Sequence, residues 1–289
     1  MKLIKKGFSF LLVLILGTPF QMTAHEDPAK TKKEKEAKEA KRQKIIINKI
    51  ALVTIWRIET KKNTDSDNRK KYAEVFYNKN GCTEQINVFI DKDSLSEKTI
   101  MAYDFENKLI LDYDIEGNTN KGEKTIFQYN SEGLIEKIFD FDKENHISSM
   151  AEYTYDKKAK HIIYTKYKSL NNVEYTLRYL YDSNIGNGNC IEIEKNDSAG
   201  KLIMKVINKF DKNGMRSEKA IYNDQNELNY KFLYTYTDTK DFSVITKISQ
   251  TGERLSSDEY FYNDNGTLKK IISKDKDENI DEVLEYTYE

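Results

Sequence analysis

Proline and glycine are scarce: the 289 residues include 2 Pro and 12 Gly. This excludes a collagen-like chain or a Gly/Ser-rich linker protein and leaves most turns to Asn and Asp. Two cysteines, Cys82 and Cys190, are too few for a disulfide framework, and their spacing matches no metal site. They fall four repeats apart in the array described below, which in a regular stack exceeds the ~7 Å Cα limit for a disulfide, so two unpaired thiols are expected. Histidine is as sparse. His25, His146 and His161 have no Cys or His partner at ligand spacing and read as surface residues.

Catalytic signatures are also missing. There is no Gly-rich phosphate loop, serine elbow or His-Glu-x-x-His helix, so no catalytic residue and no cofactor site is assigned. With 48 Asp and Glu residues some carboxylates must lie close together, so their abundance says nothing about glycoside hydrolysis. Asp275, Asp277, Asn279 and Asp281 alternate like the start of a calcium loop. Ile280 stands where glycine is needed and Tyr286 where a bidentate Glu belongs, so the segment reads as a turn and not a metal site. The formal charge of -1 gives no general pull toward nucleic acid.

The only long apolar run, Phe8 to Leu16, is about half of the ~20 residues a bilayer-spanning helix needs. It follows Lys2, Lys5 and Lys6 and precedes small residues near Ala24, the pattern of a secretory signal peptide over residues 1–24. No membrane span is expected after its removal, and the destination is periplasmic or extracellular. Residues 25–44 form a Lys/Glu/Ala leash with eight basic and three acidic residues between Pro28 and Lys44. It has helical propensity and no apolar face to bury, as expected of a solvated spacer.

Aromatics are plentiful, with 20 Tyr and 13 Phe, and they recur. Tyr77, Tyr103, Tyr129, Tyr155 and Tyr181 are each 26 apart; a 29-residue step leads to Phe210, and the 26-residue period resumes at Tyr236, Tyr262 and Tyr288. The three extra residues fall around Ile185 to Asn189. Asn or Asp follows most of these anchors, and Gly81, Gly133, Gly214 and Gly266 stand four residues after alternate ones, with Asn107, Ala159 and Lys240 between them. Upstream of each anchor, apolar and polar residues alternate with period two, as in Val173, Tyr175, Leu177, Tyr179 and Tyr181, the signature of a half-buried strand. A second turn about 12 residues later makes each unit a hairpin.

The expected fold is all-β: tandem hairpin repeats over residues 72–289 forming a long, curved antiparallel meander, an open superhelical or solenoid-like sheet. Residues 45–71, with the single Trp56, would supply an N-terminal capping strand and loop.

The sequence Tyr129, Asn130, Gly133, Leu134, echoed at Tyr262, Asn263, Gly266 and Leu268, resembles the YD repeats of the RHS family. The resemblance covers most of Tyr72 to Glu289. It implies β-rich repeats in secreted or surface proteins, some of which form shells or contact carbohydrate. Together these features point to an exported, non-enzymatic binding or scaffolding protein of the bacterial envelope or exterior. One expected partner is a polysaccharide held by the off-face residues Phe76, Leu180 and Phe261, with the anchor tyrosines kept for the core. The alternative is an envelope protein, in an assembly or immunity-like role, with a hydrolase third.

Overall fold

The computed structural model describes residues 32–58, 69–91, 94–117, 119, 121–169, 172–183, 188–239 and 241–289. Residues 1–24, read from the sequence as an export signal, residues 25–31 of the leash and Lys240 lie outside them. A helix, α1 (Lys32–Ile47), precedes eighteen strands. These are β1 (Leu52–Ile58), β2 (Arg69–Tyr77), β3 (Thr83–Asp91), β4 (Ser94–Tyr103), β5 (Leu109–Glu116), β6 (Gly122–Tyr129), β7 (Ile135–Phe141), β8 (Ile147–Asp156), β9 (His161–Ser169), β10 (Asn172–Tyr181), β11 (Cys190–Asp197), β12 (Leu202–Phe210), β13 (Arg216–Tyr222), β14 (Leu228–Tyr236), β15 (Phe242–Ser249), β16 (Arg254–Tyr262), β17 (Leu268–Asp275) and β18 (Ile280–Tyr288).

Every strand pairs antiparallel with its neighbour in sequence, and β1 pairs with both β2 and β18. Val53 lies opposite Tyr288 on one side and Val75 on the other. The array is therefore a closed up-and-down barrel, which corrects the open superhelical sheet expected from the repeat. β1 is the reason: it carries no anchor motif, yet it satisfies the two edges that an open meander would leave bare. An eighteen-stranded twisted sheet must curl in any case, and closure removes both edges at once.

All anchors end even-numbered strands, so they ring one mouth. The turns that follow are built as the sequence requires. The Oδ1 of Asn78, Asp104, Asn130 and Asp211 each accepts two backbone N–H bonds, from the second and fourth residues ahead. The fourth turn position takes positive φ at Gly81 and, without glycine, at Asn107. In the β8–β9 turn positive φ falls on Lys160, one residue past Ala159. Six anchor hydroxyls, of Tyr103, Tyr129, Tyr155, Tyr236, Tyr262 and Tyr288, each donate to the carbonyl twenty residues earlier, over 2.5 to 2.9 Å.

One face of the sheet carries the main hydrophobic cluster. Ile55, Ala73, Ile86, Phe127, Ala151, Tyr179, Val206, Ile271 and Leu284 are among its members, and this is the inner face of the barrel. The outer face carries cross-strand ion pairs instead: Lys137–Glu152 at 3.0 Å, Lys205–Glu192 at 2.8 Å, and Glu218 with both Lys209 (2.8 Å) and Lys231 (3.1 Å).

The helix lies across the anchor mouth. Arg42 donates to the Asn80 carbonyl at 3.1 Å, Lys44 donates to the Gly266 carbonyl at 3.1 Å, and Lys44 lies 3.6 Å from Asp241, so α1 touches the β2–β3, β14–β15 and β16–β17 turns. Ile45 and Ile50 are buried in the same core as the strands. The basic segment thus does more here than separate two parts of the chain: it covers one end of the barrel.

Candidate functional site

Along the even-numbered strands inward positions share the parity of the anchor, the residues opposite them on the odd strands share that face, and their chemistry changes with depth. Near the anchor mouth they are tyrosine, phenylalanine and aliphatic residues. Toward the far mouth they become a polar belt.

On β4 to β6 that belt is acidic. Register places Asp112 beside Met101, Asp114 beside Thr99 and Glu123, and Glu116 beside Glu97, all on the inner face. The lysines of these strands, Lys98 and Lys124, have the opposite parity and face outward. Thr99 Oγ1 donates to Asp114 at 2.6 Å, and Glu116 is paired with Lys143 at 2.6 Å. Asp112 is 6% exposed, and its Oδ1 is buried without a hydrogen-bond partner. Burial, reinforced by the charges of Asp114 and Glu97, pushes its carboxyl up to about 7. Asp114 reaches lumen water, yet the surrounding wall desolvates it enough to raise its pKa, against the hydrogen bond from Thr99.

The neighbouring carboxylates are better served. Asp140 is desolvated, but Lys166, Ser149 and Thr125 all donate to it and hold it below the usual carboxylate range. Asp258 is raised by burial, which a 2.6 Å hydrogen bond from Ser273 partly offsets. Arg57 pairs with Glu282 at 2.7 Å and lies 4.1 Å from the centre of the Tyr72 ring. Across the lumen from the acidic strands the belt is basic. Lys195 lies 4.0 Å from the centre of the Tyr175 ring, and Lys247 lies 4.2 Å from that of Tyr230.

The residues singled out from sequence do not form one site. Phe76, Leu180 and Phe261 all lie on the outer face, on β2, β10 and β16. β10 is eight strands from β2 in either sequence or ring order, so they are spread around the barrel. Only Phe261 is exposed, at 40%, and Lys270 lies over its ring. Neither cysteine forms a disulfide; Cys190 is buried and its thiol donates to the Glu192 carbonyl at 3.4 Å. His146 is in the β7–β8 turn, 3.6 Å from Asp142, whereas His161 is half-buried with Nδ1 shielded from water. Asp275 closes the β17–β18 turn by accepting from the amides of Asp277 and Asn279. No cluster of metal-ligating side chains occurs among the described residues.

Two clefts open on the anchor rim. One, of about 280 Å³, lies between Ile45, Ile50 and Tyr77; the other, of about 430 Å³, lies between Asp211, Met215 and Tyr234. Asp211 is already engaged by its own turn.

No family model matches the chain, and no curated protein matches it. Among solved structures it is similar to a porin-like protein from Bacteroides uniformis, with a TM-score of 0.42, 10% identity, and 83% of this chain and 98% of that one covered. A porin-like protein from Bacteroides vulgatus gives a TM-score of 0.37 at 12% identity, over 66% and 94% of the two chains. The Tc holotoxin pore of Photorhabdus luminescens gives 0.22 at 12% identity, over 78% of this chain and 14% of that one. Function has to be read from the side chains of this barrel.

Proposed function

We propose that the chain is an exported, non-enzymatic binding barrel that stands in water, built from YD-like hairpins, with its ligand surface on the inner wall. The distribution of polarity carries this reading. A barrel that spans a bilayer needs an outward apolar band ~25 Å tall and a polar interior. Here ion pairs such as Lys205–Glu192 and Lys231–Glu218 occupy the outer face at mid-strand, and the tyrosine-rich core is inside. Helix α1 covers one mouth, so a ligand would enter at the other, past the polar belt. The signal-like start of the sequence supports an envelope or extracellular location.

A polysaccharide remains the preferred ligand, on different residues: the inner rings of Tyr175 and Tyr230, flanked by Lys195 and Lys247, offer stacking faces beside hydrogen-bonding groups. The test is to purify the chain without its export signal in detergent-free buffer, add it to planar bilayers and screen it against glycans. We expect a monodisperse protein with no single-channel conductance. Stable conductance steps would overturn the reading.

A protein partner is the second reading, favoured by Phe105, 93% exposed in the β4–β5 turn, and Ile47, 75% exposed at the end of α1. Stoichiometric cross-linking of one envelope protein, lost in Phe105→Ser, would establish it.

A further inference from the structure

We infer that the inner wall of β4 to β6 is a binding site for a ligand bearing ammonium or guanidinium groups, centred on Asp112 with Asp114, Glu97 and Glu123 around it. This rests on the proposed reading of the barrel as a water-standing container and adds a second ligand site across the lumen from Tyr175 and Tyr230.

Two observations carry the inference. The first is charge placement. Five carboxylates face inward on three consecutive strands, of which Glu116 is paired with Lys143, while Lys98 and Lys124 of the same strands face outward. Same-face neighbours across a pair lie ~5 Å apart, so this wall concentrates negative potential over a short span. The second is Asp112 itself. Equivalent carboxylates elsewhere in the belt have side-chain donors: Asp140 receives three, and Asp258 receives Ser273. Asp112 is 6% exposed, and its buried Oδ1 receives nothing. A buried acceptor left without a donor is destabilising, and a ligand N–H would relieve that cost.

The donor must be brought in rather than supplied by the barrel. Register sets Asp112 between Met101 and Thr125, and Thr125 already donates to Asp140. Metal coordination fits poorly, because no ligating cluster occurs among the described residues. An N–H-bearing cation needs no such cage: it requires acceptors and negative potential, and both are present. Ligands with several ammonium groups suit the patch best, since Asp114 and Glu123 lie one strand pair apart toward the far mouth.

The probe is spermidine, titrated calorimetrically into the chain without its export signal at pH 7, with putrescine as a shorter comparison. The expected result is saturable binding near one equivalent that Asp112→Asn weakens at least tenfold. Asp224→Asn, a substitution in the exposed β13–β14 turn, should leave the affinity within twofold. Binding should also release protons, seen as a heat that changes with the ionisation enthalpy of the buffer and is lost in Asp112→Asn; diffuse charge attraction would not do this. Absence of saturable binding, or equal affinity in wild type and Asp112→Asn, overturns the site. The bilayer measurement separates the two proposals: a non-conducting, detergent-free barrel that ignores spermidine refutes only the ligand class, whereas stable conductance refutes the container as well.

Discussion

The side-chain amide of Asn208 donates to the carbonyl of Cys190 over 2.9 Å. That carbonyl is the one an anchor hydroxyl would reach, twenty residues before position 210, where the anchor is phenylalanine and has no hydroxyl to give. The donor has moved two residues along the same inward face, and the repeat keeps its hydrogen bond although its side chain has changed.

Asn208→Leu should therefore destabilise the barrel by about 1–3 kcal/mol, the cost of a buried acceptor left unpaired. Adding Phe210→Tyr to that variant should restore much of the loss, because the new hydroxyl stands where the other six anchors place theirs. Denaturant melts of the two single variants and the double variant form the cycle. Additive effects would mean that the two positions do not serve the same carbonyl.

The repeat was legible in the sequence because its signals are local: aromatic spacing, an Asn or Asp after the anchor, and alternation upstream. Closure was not, since it depends on twist accumulated over seventeen strands and on Leu52–Ile58 meeting two distant edges at once. Nothing within β1 announces two partners. The acidic wall was partly legible. Thr99 and Thr125 are 26 apart and share the anchor parity, so their inward direction follows from the pattern, whereas Asp114 and Asp140, also 26 apart, have the opposite parity and turn inward because the register shifts beside Tyr103 and Tyr129. Which of those carboxylates lacks a donor depends on cross-strand register. The binding role given to Phe76, Leu180 and Phe261 assumed that one face of an open sheet could be reached as a single surface, and closure distributes that face around a cylinder.

The closing strand gives a second prediction. Ile55 is fully buried between Ala73 and Tyr286. Ile55→Ala should cost about 2–5 kcal/mol. It should also favour opening at the two edges that β1 covers, so size-exclusion profiles at rising concentration should show oligomers that wild type lacks. A destabilised variant that stays monomeric would argue that β1 is not what keeps the edges apart.

The titration of Asp112 gives a third. Its carboxyl rises from 3.8 to about 7 on folding, so the native state holds a proton that the unfolded chain has lost. The stabilisation is therefore complete below pH 4 and disappears as pH climbs through 7. Asp112→Asn, which keeps the neutral shape, should raise the melting temperature at pH 8, by the equivalent of roughly 2–4 kcal/mol, and change it little at pH 4. Thermal melts of both proteins from pH 4 to 8 measure this, and a pH-independent difference would count against the assignment.

The cap over the anchor mouth can be tested by comparing two glycines that share a backbone conformation and differ in what lies above them. Gly81 has φ +69°, and a Cβ there would come within 2.9 Å of both the Arg42 carbonyl and the Ile46 side chain. Gly200 has φ +83° in a turn at the opposite mouth, with open space around it. Valine at either position pays the strain of a left-handed turn, about 1–2 kcal/mol. Only Gly81→Val also pushes against α1, where the neighbouring contacts are the Arg42 bond to Asn80 and the Lys44 pair with Asp241. Helix α1 is rich in Lys and Arg, so tryptic cleavage after Arg42 and Lys44 reports its release directly. The expected outcome is faster cleavage there in Gly81→Val and a wild-type rate in Gly200→Val, at temperatures where both barrels remain folded. Equal rates in all three proteins would mean that α1 is not held by the β2–β3 turn, and that the anchor mouth opens without help from a substitution.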